Sequence, residues 1–181
     1  MGTPQSPVPV KLLFGLLAAS DALLAEASAT LAVRFGAIDA SSVPVDWNAS
    51  PYYRDEMGPA IRRQFVSIAA LLAPGKLAGL KQLANTLEDT WRTGVRRQVN
   101  IDPGYLSATK LVLASTKDAA HRIYLSGGIY AEATLLFSDG TFRAHAHTYP
   151  DYTAADAIAF FNRVRAVYLA QLRASAGNGQ R

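Results

Sequence analysis

The chain contains no cysteine in its 181 residues, so disulfides and thiolate chemistry are both excluded. That absence fits a reducing compartment, and the cytoplasm is the expected location. Long apolar runs are missing too: Leu12–Ala19 falls well short of the roughly 20 residues that a membrane-spanning helix needs. The opening "MGTPQSPVPV" has no basic segment ahead of an apolar run, so it does not read as a signal peptide. Gly2 and Ser6 fit the myristoylation pattern, yet no polybasic patch supplies a second anchor, and no membrane partner is expected. Charge is sparse, at 18% of residues, and 18 basic against 14 acidic side chains leave +4. Such an excess permits anionic ligands without pointing to nucleic acid.

Half of the residues are hydrophobic, which with this length implies one globular domain over 1–181, its first nine residues a flexible tail. "VKLLFGLLA" (Val10–Ala18) reads as a buried strand. Ser20 or Asp21 can cap a helix that buries Leu24, Ala27, Leu31 and Phe35 and ends at Gly36. Ala37–Trp47 reads as an edge strand interrupted by Pro44, and "NASPYYRDEMG" as a loop. Pro59 then suits the first turn of a helix with Ile61, Phe65, Ile68 and Leu72 inward. A further helix after "APGK" carries Leu80, Leu83, Leu87 and Trp91 on its apolar stripe. Its Lys81, Asn85 and Glu88 share another face by their i, i+4, i+7 spacing, which a solvated stripe explains equally well.

In the strand Arg96–Asp102, Val99 and Ile101 point one way, and Gln98, Asn100 and Asp102 the other. Pro103 and Gly104 suit the centre of a type II turn from Asp102 to Tyr105. "YLSATKLVLAS" suits either strand or helix, with a strand the expectation for Lys110–Ser115. A capping box of Thr153 and Asp156 starts a helix to Arg173 that buries Ala157, Phe160, Phe161, Val164, Tyr168 and Leu172.

"HRIYLSGGIYAEATLLFSDGTFRAHAHTY" reads as a three-strand antiparallel meander. Asp139-Gly140 makes a two-residue turn, setting Phe137 opposite Phe142 and Leu135 opposite Ala144 on an apolar face. The other face pairs Thr134 with His145, Glu132 with His147, and Tyr130 with Tyr149. A three-residue Ser126–Gly128 loop places Ile123 and Leu125 on the apolar face, Arg122 beside Glu132, and Tyr124 beside Tyr130. A carboxylate beside His suits acid–base work, and Arg can grip a phosphate or carboxylate bidentately. The competing reading makes these ordinary cross-strand pairs on a solvated sheet face.

Other patterns carry less. His145, His147 and either Glu132 or Asp151 could ligate a divalent metal, but the set lacks a specific spacing, and no metal site is assigned. "SATK" (Ser107–Lys110) matches S-x-x-K without a K-T-G partner. "LVLASTKD" approaches the guanine-specificity element of small GTPases, but Asp118 comes one residue early and no phosphate-binding glycine loop exists. Arg62, Arg63, Arg92, Arg96 and Arg97 could form a basic patch with Trp91 as a stacking partner. Trp91, however, lies on its helix's apolar stripe.

The blocks "PVKLLFGLL", "YYRDEMG", "RRQVNIDPGYLSATKLVLASTKDAAHRIYL", "GIYAEATLLF" and "TYPDY" together resemble an uncharacterised prokaryotic family, domain of unknown function 4416. The resemblance implies a bacterial or archaeal protein with no established activity or cofactor. The family usually carries Trp where this chain has His147, so a mechanism built on His147 would not be the family's. The blocks single out Asn100, Asp102, Tyr105, Lys110, Lys117, Asp118, His121, Arg122, Tyr130 and Glu132 as motif-borne polar positions.

The expected fold is therefore α+β, a largely antiparallel sheet packed by helices on one face, with a C-terminal meander followed by a helix. The expected function is binding of a small anionic ligand, a nucleotide or another phosphorylated metabolite, on the polar sheet face. Glu132, Asp102 and His121 are the candidate acid–base groups. Asn100, Tyr105, Lys110, Lys117, Arg122, Tyr124, Tyr130 and His147 are the candidate ligand contacts. The alternative is a non-catalytic module that meets RNA or a protein partner through its basic surface.

Overall fold

The computed structural model describes residues 2–48 and 53–178, so part of the "NASPYYRDEMG" loop lies outside the described residues. It shows one antiparallel nine-stranded sheet packed between helices. The elements, in order, are β1 (Val10–Ala18), α1 (Asp21–Phe35), β2 (Ile38–Ser41), β3 (Val45–Asp46), α2 (Arg54–Met57), β4 (Arg62–Leu72), α3 (Leu77–Glu88), β5 (Arg92–Thr93), β6 (Arg96–Arg97), β7 (Val99–Leu106), β8 (Lys110–Ser115), β9 (Ile123–Ser126), β10 (Ile129–Ser138), β11 (Thr141–Arg143), α4 (Pro150–Thr153) and α5 (Ala155–Asn178). The sheet runs β11-β10-β8-β7-β1-β4-β2, with β3 on β4 and β9 on β10; β5 and β6 form a separate hairpin.

Every residue of β1 is buried, and a strand apolar on both sides needs cover on both. Leu12, Phe14 and Leu16 pack under α1 and α3, against Leu24, Leu31, Ala84 and Leu87. Leu13 faces the opposite way, with Phe65 and Leu111 under Phe160, Phe161 and Val164 of α5. Helices thus lie on both sheet faces, where the sequence reading placed them on one. Helix α1 forms as its caps require: the Ser20 hydroxyl accepts from Leu23 N–H, and Gly36 ends it at φ 103°.

The expected helix after Pro59 is instead strand β4. Its spacing satisfies a helical period, but pairing on both sides, with β1 and with β2 and β3, settles the conformation. "NIDPGY" is not a turn either; it is the body of β7, with Pro103 opposite Phe14 and Gly104 opposite Leu13. The β7–β8 ladder starts at Gly104, so Pro103, lacking an N–H, sits where that ladder begins. Gly104 is a close approach: a Cβ there would come within 2.5 Å of the Val112 carbonyl oxygen. The turn comes later, where Ser107 N–H donates to the Lys110 carbonyl at 2.8 Å.

The meander exists, and Asp139-Gly140 sets Phe137 opposite Phe142 as expected. Its outer strand stops at Arg143, however, so the expected pairs beyond Leu136 do not form. Side chains take over there, His145 Nε2 bonding the Ala133 carbonyl and the Thr148 hydroxyl donating to the Thr134 carbonyl. The first turn is a two-residue Gly127-Gly128 loop, both at positive φ, followed by a bulge. Past the bulge Tyr124 stands opposite Tyr130 as expected, yet Ile123 and Leu125 are exposed while Glu132 and Thr134 are buried. The expected capping box does not form, because the Thr153 hydroxyl donates to the Pro150 carbonyl at 2.7 Å. Ala154 is extended and separates α4 from α5.

Candidate functional site

A cleft of about 390 Å³ opens over one end of the sheet. Its floor is laid by residues that register places on one face: Leu17 stands between Arg63 of β4 and Asn100 of β7, and Gly15 stands opposite Asp102. Glu132 of β10, opposite Leu113, extends the floor. Lys81, Asn85 and Glu88 of α3 form one wall, and Tyr149, Asp151 and Tyr152 around α4 form the other. The volume lies in the range of small-ligand sites.

Gly15 makes the floor possible. A Cβ there would stand 2.5 Å from the Tyr152 hydroxyl and 3.0 Å from Arg63 Nη2. Arg63, only 3% exposed, lies over the rings of Phe65 and Tyr152, 4.4 and 4.9 Å from their centroids. Its Nη2 pairs with Asp151 at 2.9 Å, and Asp151 also accepts from Trp47 Nε1 at 3.2 Å. Two buried donors at this point, Arg63 Nε and the Tyr152 hydroxyl, have no hydrogen-bond partner among the described residues.

Carboxylates around the cleft are pulled in opposite directions. Burial opposes ionisation of Asp102, but the charges of Lys81 and Arg63, with hydrogen bonds from Lys81 (3.1 Å) and Asn100 (2.7 Å), outweigh it. Its carboxyl is held below the usual range. Glu88 goes the other way: burial pushes it up, against Lys81, the Ile101 N–H at 2.7 Å and Arg97 at 2.9 Å. Burial likewise raises the Tyr149 and Tyr152 phenols, keeping both protonated at neutral pH.

Beside the cleft, buried Glu132 accepts from Arg122 Nε at 2.7 Å and from the Thr134 hydroxyl at 3.3 Å. His121 Nε2 lies 3.2 Å from the same carboxylate, and its ring stacks parallel on His147 at 4.3 Å. Arg122 Nη2 also donates to the Tyr149 hydroxyl at 2.6 Å. The expected Arg122–Glu132 and Tyr124–Tyr130 neighbours are present. The other expected pairs, Glu132 with His147 and Tyr130 with Tyr149, do not form as backbone partners.

Among the candidates, Asp102, Asn100, Lys117 and Glu132 line the cleft, while Arg122 reaches its wall by bonding Glu132 and Tyr149. His121 and His147 stand behind Glu132. Tyr105 packs toward α3 on the opposite sheet face, five residues and hence one face change from Asn100. Lys110 begins β8, opposite Leu136, and Tyr124 and Tyr130 pair edge-on outside the cleft. Among the described residues, no cluster of three or more His, Asp or Glu could hold a metal. No described helix is long and apolar enough to cross a membrane.

A family profile described as Domain of unknown function (DUF4416) matches residues 8–168, most of the chain. The chain belongs to the DUF4416 family. No curated protein and no solved structure matches it. The DUF4416 span runs past both ends of the cleft, from Leu17 on its floor to Tyr152 on its wall, so the whole site lies within the family's domain.

Several cleft residues of this DUF4416 chain escaped the sequence reading. Lys81 and Glu88 are 5% and 4% exposed, on a face that spacing alone cannot tell from a solvated one. Arg63 was grouped with a surface patch, yet it is buried, and Arg62, Arg92 and Arg97 also pair with acids. One signal was readable: Tyr149 and Tyr152 flank Pro150-Asp151, a polar-aromatic cluster where a plain helix start needs none.

Proposed function

We propose that the cleft over β1, β4, β7 and β10 binds a small anionic metabolite, with acid–base chemistry available at its floor. The observation that carries this reading is the pair of buried, unpartnered donors, Arg63 Nε and the Tyr152 hydroxyl, at the base of a ligand-sized cavity. Buried polar groups are almost always satisfied, and leaving one without a partner costs stability. A bound oxyanion supplies the missing acceptor. Asp102 and Glu88, displaced in opposite directions, form the type of carboxyl pair in which one group serves as base and the other as acid.

The alternative basic-surface module finds less support, because Arg62, Arg63, Arg92 and Arg97 already spend their charge on acidic partners. The test is a thermal-shift screen of nucleotides, phosphorylated metabolites and organic acids, followed by fluorescence. The chain has two tryptophans, and in a Trp91→Phe background emission comes from Trp47 in the cleft wall alone. A true anionic ligand should change Trp47 emission, bind more weakly to Lys81→Gln, which leaves the Asp102 charge unbalanced in the cleft, and bind at least as tightly to Asp102→Asn. Hits that leave Trp47 silent and ignore Lys81→Gln would place binding elsewhere.

A further inference from the structure

Resting on the reading above, the charges around the cleft say which kind of anion it suits. Arg63 pairs with Asp151, Lys81 with Asp102, and Arg97 with both Glu88 and Glu56, at 2.9 to 3.1 Å. Arg92 pairs with Asp89 at 2.6 Å, and Arg122 with Glu132 at 2.7 Å. A polyphosphate that reaches these five groups meets charge that is already balanced. To engage Arg63, Lys81 or Arg122 it would have to break a largely buried pair, and Asp151, Asp102 or Glu132 would be left as a poorly compensated charge.

Neutral donors are arranged differently. The Tyr149 oxygen accepts from Arg122, and no described residue accepts its proton in turn. The Tyr152 oxygen lies against the Arg63 guanidinium, but among the described residues nothing accepts its proton, although the residue is only 2% exposed, and nothing accepts from Arg63 Nε beside it. Both phenols come from the ends of "YPDY", which the short helix α4 curls so that the rings lie 6.3 Å apart. Burial keeps both phenols in the donor form.

The geometry points to Tyr149, Tyr152 and Arg63 Nε as the anchor for a single carboxylate group, making the ligand a small organic acid rather than a nucleotide or other polyphosphate. The phenols and one N–H satisfy two carboxylate oxygens without disturbing any ion pair. Recognition of this kind depends on hydrogen-bond geometry, so its affinity varies little with ionic strength.

The experiment titrates the full chain, in the Trp91→Phe background, with sodium acetate, inorganic phosphate and ATP at constant ionic strength. Trp47 emission and the Arg63 Nε–H resonance are followed together. Acetate is expected to bind saturably and to shift Arg63 Nε–H. The Tyr149→Phe and Tyr152→Phe substitutions together should weaken it about tenfold or more, the loss of one or two good hydrogen bonds. Both substitutions retain the ring, so unfolding is checked directly by circular dichroism, and Tyr149→Phe, at the exposed ring, serves alone if the double variant is unstable. Acetate binding unchanged by the substitutions would overturn the anchor. ATP binding more tightly than acetate, and surviving loss of both hydroxyls, would overturn it too while leaving the cleft reading in place. Silence of Trp47 and Arg63 toward all three probes would overturn both.

Discussion

Tyr152→Phe should make this protein more stable. The hydroxyl is buried under α4 against Gly15 and donates to no described residue, and a buried donor in that state costs about 1–3 kcal/mol. The ring itself is well placed. It stacks on Phe161 at 5.7 Å, meets Phe65 edge-on at 4.8 Å and lies under the Arg63 guanidinium. Phenylalanine keeps those contacts, and the space left by one oxygen is small. Attraction between the phenol oxygen and the Arg63 cation returns part of the cost, so the expected net gain is about 1 kcal/mol. For a domain of this size that raises Tm by about 2–4 °C. Urea unfolding at neutral pH measures it, with an unchanged m-value as the check that the native and denatured ensembles are comparable. A loss of about 1 kcal/mol or more would refute the reasoning, since it would mean that the hydroxyl is satisfied, for instance by an enclosed water. A gain would mark Tyr152 as a residue kept at the expense of stability, the signature expected of a binding group.

Gly15→Ala should destabilise by about 1–3 kcal/mol, because its Cβ would collide with the Tyr152 hydroxyl, and Tyr152→Phe should recover part of that loss in a double-mutant cycle read by urea unfolding. Glu132→Gln should cost about 1–3 kcal/mol by leaving half-buried Arg122 without its anion, and Arg122→Met in the same chain should restore part of it; strictly additive losses would contradict the pairing. Asp102 gives a pH signature of defined sign. Its folded carboxyl titrates below its unfolded value, so its contribution is complete above roughly pH 4 and disappears as pH falls through the folded value. The stability gap between wild type and Asp102→Asn should therefore narrow on acidification below that point; a gap that is constant from pH 7 to the acid limb would contradict the assignment.

Local chemistry was enough to determine several parts of this protein. The Ser20 cap and Gly36 stop define α1, Asp139-Gly140 sets the last hairpin, and alternation in Val99–Asp102 separates core from cleft residues. Each depends on neighbours within a few residues, where backbone sterics and side-chain caps act. Asn100 beside Asp102 and Arg122 beside Glu132 followed from the same short-range rules. The remainder depended on tertiary pairing. Arg62–Leu72 carries a helical period, yet it becomes a strand because partners on both sides complete its hydrogen bonds. "NIDPGY" looks like a turn, but β1 and β8 draw it into the sheet, where the side chain missing at Gly104 leaves room for the neighbouring strand. The cleft is furthest from the sequence pattern. Residues as distant as Gly15, Arg63, Lys81, Asp102 and Tyr152 meet only when β1, β4, β7, α3 and α4 converge. Burial then changes a solvated-looking lysine, arginine and tyrosine into paired or unpartnered groups, and burial is set by the whole fold.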